Sequence, residues 1–366
     1  MKRVCILALL LIVFLNMEVF ASETDSLQEF YDEADLSEAE EIAQEAGISF
    51  KELIHRIYTQ DTNGLSLLDS VVQALSDGIA DNYEALRQVF LLSILGAMLQ
   101  ALSQVFGNRQ IGTMGFYVCY LCMMGFLMAA FQQAETIAQN MLTLLLEFMR
   151  ALLPAYYLGL VMTLGSANGF YGIVLTALSL IEEVMKNLLI PGIRLYLILM
   201  LLNDLQEEDH LSKMAELVKT VLDWSMKTIF AGVIGLQLVQ SLISPYTSAV
   251  SQNLLVRAAS SIPGIGNSIG AVSSVVLGSS MLIRNTVGVA AIIVVVLLCG
   301  VPIVQLVVIA LLYQAESAVI QPFAEKRMVS CVAAVTAAVK LLLKVVMLSA
   351  LMLIITLAIL CAIRPA

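Results

Sequence analysis

Residues 285–315 read NTVGVAAIIVVVLLCGVPIVQLVVIALLYQA, thirty-one positions between Arg284 and Glu316 without one charge. A hydrocarbon core of roughly 30 Å is crossed by about 20 helical residues, so this run spans a bilayer with length to spare. Near its middle Gly300-Val301-Pro302 interrupts the pattern. Pro302 removes one backbone donor and crowds the turn before it. In lipid that break is tolerated where neighbouring helices or local adjustments satisfy the freed carbonyls, which places the helix inside a bundle.

The rest of the chain has the same character. Hydrophobic residues make up 60% and charged residues 13%, with a mean hydropathy of +0.90. Soluble domains carry about 25% charged residues. The expected fold class is therefore an all-α polytopic membrane protein, a bundle of about 6–8 transmembrane segments. Charge is concentrated at one end. Residues 22–88 hold sixteen acids against three bases, whereas 89–366 hold twelve acids against fourteen bases. No basic cluster of the kind nucleic acid requires is present.

Taken in order, Met1-Lys2-Arg3 and the apolar run after it form the charged and hydrophobic regions of a signal peptide. Cleavage after Ala21 is expected, with an uncleaved anchor as the alternative. Residues 22–88 then form a short extracytoplasmic segment with helical patches. Ser37 and Glu40 fit a capping box, in which the Ser side chain and the Glu three residues later satisfy each other's backbone N–H groups. Residues 89–366 form the multi-pass domain, with candidate spans at 89–106, 111–131, 144–165, 169–184, 187–202, 226–243, 286–312 and 338–360. The run 169–202 is interrupted by Glu182, Glu183 and Lys186 and then by Pro191-Gly192. It reads as two short spans, a re-entrant hairpin or one long kinked helix. Placing the basic connectors inside requires two crossings there, giving eight spans with both mature ends outside.

The stretch 244–285 is rich in Ser and Gly and has only two charges. Gly264, Gly266, Gly270 and Gly278 permit close backbone approach. A re-entrant or pore-side segment fits that composition, and so does an interfacial helix pair packed through small residues. Gly266-Asn267-Ser268-Ile269-Gly270 matches the G-x-S-x-G pattern of hydrolases. That chemistry needs a strand-to-helix elbow and a histidine, and the two histidines, His55 and His210, lie in polar segments far away in sequence. Cys119-x-x-Cys122 has no second pair or nearby histidine to complete a zinc or redox motif. No enzyme, cofactor or metal function is expected.

Charges within apolar runs carry the functional expectation, because each costs roughly 2.5–3.5 kcal/mol on insertion scales. Glu147 and Arg150 stand three apart and can neutralise each other on one helix face. Glu182 and Lys186 stand four apart in the favoured order, with Glu183 three before Lys186. One carboxylate is left over, so Glu182, Glu183 and Lys186 form the candidate intramembrane charged site.

Three segments carry a family resemblance: MRALLPAYYLGLVMTLGS at 149–166, LLIPGIRLYLILMLLND at 188–204, and LIRNTVGVAAIIVVVLLCGVPIVQLVVIALLYQAESAVIQP at 282–322. In these the chain resembles the stage III sporulation protein AE family of endospore-forming Firmicutes. The resemblance implies a membrane component of the secretion-like channel complex that joins mother cell and forespore after engulfment. It implies a place in the mother-cell-derived outer forespore membrane. It implies as partners the other stage III A operon membrane proteins, an ATPase among them, and a forespore protein across the intermembrane space. Two roles follow: a conduit-lining or export-gate-like subunit, or a scaffold that assembles the others. An independent secondary transporter is the third reading.

Overall fold

The computed structural model describes residues 37–45, 87–98, 109–164, 169–205, 211–260 and 266–362. Among these the chain is helical, without strands. In chain order the helices are α1 (Ser37–Glu45), α2 (Arg87–Met98), α3 (Arg109–Leu164), α4 (Gly169–Val184), α5 (Ile190–Leu205), α6 (Ser212–Ser260), α7 (Gly266–Ile320) and α8 (Lys326–Ala362). A π-helical turn, Met185–Leu189, joins α4 directly to α5. The all-α membrane architecture is thus as the sequence predicts. Four stretches are long and apolar enough to cross a membrane: Met114–Leu152, Thr176–Leu205, Val287–Ile320 and Lys326–Ile359. The signal region and most of the acidic segment lie outside the described residues; within that segment, the helix expected after Ser37 is present as α1.

Two differences from the expected spans have physical causes. The candidates at 111–131 and 144–165 lie on one continuous helix, α3, whose 56 residues extend about 84 Å at 1.5 Å per residue. The intervening Gln132–Asn140 is polar but contains neither Gly nor Pro, so nothing in it stops a helix. The candidates at 169–184 and 187–202 also fail to turn back, and the chain continues through Pro191. Pro191 cannot donate to the carbonyl one turn earlier and its ring crowds that carbonyl. The wider π turn immediately before it opens the backbone where the ring needs room. Of the three readings of 169–202, the long distorted helix is the one observed. The eight-span orientation scheme, which needed two crossings here, does not hold.

The core is built on the α7–α8 hairpin, with α3 and α5 packed against it. Ala290, Ala291, Val294 and Val295 of α7 and Ala334, Ala338, Leu342 and Val346 of α8 are buried at helical spacing. Lipid tails supply no hydrophobic contrast, so such helices associate through close packing, and the alanines permit it. Pro302 lies inside α7 without ending it, as expected for a helix held by neighbours. Tyr120 of α3, fully buried, donates to the Leu201 carbonyl of α5 at 2.9 Å and fixes the two helices in register. At the hairpin tip Phe323 meets Phe90 of α2 edge to face, with centroids 6.0 Å apart. Ala39 and Ala43 of α1 are buried against α3 and α7, so part of the acidic segment docks on the bundle.

Gly192 of α5 packs against the Leu222 side chain of α6. A Cβ there would lie 2.8 Å from Leu222 Cδ2. Gly192→Ala can be absorbed by movement of the Leu222 tip, whereas Gly192→Val cannot. The valine variant is expected to lose about 1–3 kcal/mol by overpacking, read as a lower melting temperature of the purified protein. Equal melting of the two variants would show that the α5–α6 contact is slack.

Candidate functional site

Glu182 lies on the last turn of α4, one turn before the π segment, and is 1% exposed. Its Oε2 accepts a 2.7 Å hydrogen bond from the Ser349 hydroxyl of α8. Its Oε1 has no hydrogen-bond partner. Two helices therefore meet at one carboxyl group, and each reaches it through an element that the local sequence dictates. α4 and the π turn after it are carried inward by Leu178 and Met185, which flank Glu182 in the sequence and are buried with it. α8 presents Ser349 between the buried Val346 and Ala350. A buried carboxyl with one acceptor oxygen unmatched is costly to maintain, so the surrounding packing must hold it there.

The other two members of the expected triad do not join it. Glu183 points outward, half exposed, and faces Arg150 of α3 at 3.9 Å. Lys186 makes no ion pair among the described residues, and it belongs to the π turn. The favoured four-residue spacing of Glu182 and Lys186 presumes an α-helix; the π turn changes the angle per residue and rotates Lys186 away. Arg150 reaches Glu183 instead of Glu147, which is exposed. The charged triad thus resolves into one buried carboxyl and one loose surface pair.

Several polar contacts have no counterpart in the sequence reading. One turn before Glu182, a cavity of about 10 Å³ is lined by Leu178, Ile181, Val233, Gln237 and Thr356. That is close to the smallest space that holds one water. The Gln237 amide of α6 donates to the Thr356 hydroxyl of α8, and Gln237 Oε1 is left unpartnered. Ser349 and Thr356 are seven apart on α8, so both polar layers fall on one face of that helix. Glu135 of α3, 3% exposed, is clamped by Arg194 of α5 through Nε at 2.9 Å and Nη2 at 2.7 Å. Glu316 and the Tyr313 hydroxyl on α7 are buried, with neither Glu316 oxygen nor that hydroxyl hydrogen-bonded. Between α7 and α8 a groove of about 240 Å³ is lined by Gln314, Ser317, Thr336 and Lys340, the lysine donating to Gln314 at 2.7 Å. Lone polar residues in apolar runs are the signal that finds these positions; what they pair with is set by tertiary packing.

The glycine-rich stretch divides between two helices. Residues 244–260 complete α6, and Gly266, Gly270 and Gly278 lie in α7, with Ser268 in its first turn. Gly264 lies outside the described residues, as do His55 and His210. Cys119 is buried and Cys122 exposed. Among the described residues no group of three or more His, Cys, Asp or Glu is placed to hold a metal ion.

Comparison with known proteins adds a family. The profile described as stage III sporulation protein AE matches residues 48–364. The stage III sporulation protein AE of Bacillus subtilis (strain 168) is 23% identical over 274 residues, covering 72% of this chain and 67% of that protein. No solved structure matches the chain.

Proposed function

The chain belongs to the stage III sporulation protein AE family, and from that premise we propose that it is the multi-pass membrane subunit of a secretion-like complex joining mother cell and forespore. A role in sporulation and a membrane location follow from the family and the four long apolar helices. The finer reading places it in the mother-cell-derived outer forespore membrane, with a cleaved signal at 1–21 and an extracytoplasmic segment at 22–88. Its partners in this reading are the other stage III A operon membrane proteins, including an ATPase, and a forespore protein across the intermembrane space. The chain supplies no phosphate-binding loop, so work done on a solute comes from such a partner.

The observation that carries the assembly role is helix length. α3 and α7 hold 56 and 55 residues, each more than 80 Å by rise. A hydrocarbon core of roughly 30 Å accommodates only part of either. The remainder stands as rigid posts on which ring-forming partners can seat. The described bundle is filled by Tyr120, Phe131, Phe148 and Tyr313, all fully buried. In this reading a conduit lined by this chain runs between it and its neighbours. In-frame deletion is expected to block development after engulfment and leave vegetative growth unchanged. Normal yields of heat-resistant spores from the deletion strain would overturn the assignment, and a growth defect on a defined nutrient would revive the independent transporter. Thiol accessibility along 169–202 and 244–285 then separates a water-lined subunit from a purely scaffolding one.

A further inference from the structure

Charges from four helices meet at one level of the bundle. Lys344 of α8 donates to Asp223 of α6 at 3.0 Å. Leu222, next to Asp223, packs against Gly192 of α5. Two residues further along α5, Arg194 clamps Glu135 of α3. Lys219 of α6 stands 6.0 Å over the Tyr196 ring of α5. Lys186 returns to the same level. Glu182 meets Ser349, five residues past Lys344, while Gly192 sits beside the Asp223–Lys344 contact. α4 and α5 thus run antiparallel to α8, and Lys186 falls between those two contacts.

Past this level the chain changes character. On α8 the nineteen residues 345–363 hold no charge before Arg364, and on α6 the twenty-nine residues 228–256 hold none before Arg257. On the near side, residues 212–227 of α6 hold five charges and residues 326–344 of α8 hold four. Nineteen helical residues rise about 28 Å, close to the roughly 30 Å of a hydrocarbon core. α8 as a whole, with 37 residues, rises about 56 Å, so one bilayer core takes only half of it. A core centred on the charged level would immerse Lys344, whose side chain is 53% exposed, and the exposed Lys219 and Lys227. The charge-free half is the one that fits.

Charge at this level is also unbalanced. Asp223, Glu135 and Glu183 are matched by Lys344, Arg194 and Arg150. Lys186, Lys219 and Lys227 have no carboxylate partner among the described residues. Trp224, between the last two, is 66% exposed, and tryptophan settles where headgroups meet acyl chains. We propose that this level is a lipid-binding belt, at which one face of the membrane meets the bundle and the three lysines hold the phosphates of anionic lipids. Lysine stems lie along acyl chains while their ammonium groups reach the headgroups, and anionic lipid supplies the charge that the chain does not. The half of the α7–α8 hairpin that includes its tip then stands clear of the lipid.

The test uses the full-length chain in vesicles of phosphatidylcholine mixed with phosphatidylglycerol, with bromine on the acyl chains of one lipid at a time. Trp224 is the sole tryptophan, so its fluorescence reports this level alone. Quenching is expected to be stronger with brominated phosphatidylglycerol than with brominated phosphatidylcholine at equal mole fraction. Replacing Lys186, Lys219 and Lys227 together by Gln is expected to abolish that preference, and replacing them together by Arg to keep it. Depth is read without touching the lysines. Gln314 meets Lys340 and Tyr120 meets Leu201, which place Val296 of α7 past the charged level and Val118 of α3 before it. Both are well exposed, at 47% and 62%. In a Trp224→Phe chain, Val296→Trp is expected to be quenched strongly by either brominated lipid, and Val118→Trp by neither. No preference for phosphatidylglycerol at Trp224, a preference that survives the Gln replacements, or equal quenching at the two valine positions would each overturn the belt.

Discussion

Arg194→Ala is expected to reduce the amount of folded protein in the membrane more than loss of any other cation in the described bundle. Glu135 is 3% exposed, and both its oxygens are held by the Arg194 guanidinium at 2.7 and 2.9 Å. Such fork-to-fork pairs are stronger and more directional than single contacts. Removing one partner strands a buried carboxylate, which costs roughly 3–5 kcal/mol in measured cases. The guanidinium is itself half exposed, so the lower end, about 3 kcal/mol, is expected here. Against a total stability of about 5–15 kcal/mol that is a large fraction. Arg194→Lys should fall between, because an ammonium offers charge without the planar fork. Glu135→Gln combined with Arg194→Met should recover much of the loss, since no lone charge is then buried. Lys344→Ala provides the comparison. Its partner Asp223 is 31% exposed and the lysine 53%, so that pair is worth about 0–1 kcal/mol. Melting curves in detergent for the four proteins give the ranking. Equal losses for Arg194→Ala and Lys344→Ala would mean that Glu135 has access to water.

The fold class was legible because a charge-free run of thirty-one residues has few other homes. Helix continuity was less so. Apolar runs separated by a polar stretch look like two spans, yet Gln132–Asn140 holds only helix-compatible residues and α3 passes through it. Hydropathy reports what a segment can be immersed in; propensity and breakers decide whether the backbone turns. At Pro191-Gly192 the sequence did contain a breaker, and the π turn absorbed it. The backbone widening that admits a proline ring is a cooperative adjustment of several residues, with no composition of its own.

The site was half legible. An acid inside an apolar run is a functional hint on physical grounds alone, and Glu182 is indeed buried. Its partner was assigned by the arithmetic of an ideal helix, which gave Lys186. That arithmetic fails at a π turn, and the actual donor, Ser349, lies 167 positions away on α8. A serine at 349 in MLSALM has no pattern that marks it out from any other small residue in a packed helix. That Glu135 meets Arg194 depends on α3 and α5 lying side by side. Residue types were readable, and pairings across helices were not.

The second large effect concerns Glu182 itself, and it separates a structural carboxyl from a working one. Lys186→Ala is expected to change stability by less than about 0.5 kcal/mol, since the lysine holds no ion pair among the described residues. Ser349→Ala removes the hydroxyl that Glu182 accepts from and should cost about 1.5–3 kcal/mol, because the carboxyl is left with neither oxygen bonded. Replacing both groups, Glu182→Leu with Ser349→Ala, removes the polar atoms altogether. Apolar replacement of a buried polar pair is nearly neutral or stabilising, so the double variant should accumulate to the level of the unmodified protein. If packing were the whole role of Glu182, that double variant would sporulate normally. The expected result is the opposite: full protein level with spore yield reduced as far as in the deletion strain. A costly carboxyl, buried beside a π turn with one oxygen unmatched, is the kind of feature that stability alone does not require. Immunoblots of the membrane fraction and counts of heat-resistant spores, taken from the same cultures, decide it. Normal spores from the double variant would reduce Glu182 to a tolerated defect of the helix packing and move the search for a working polar group to Glu316 and Tyr313.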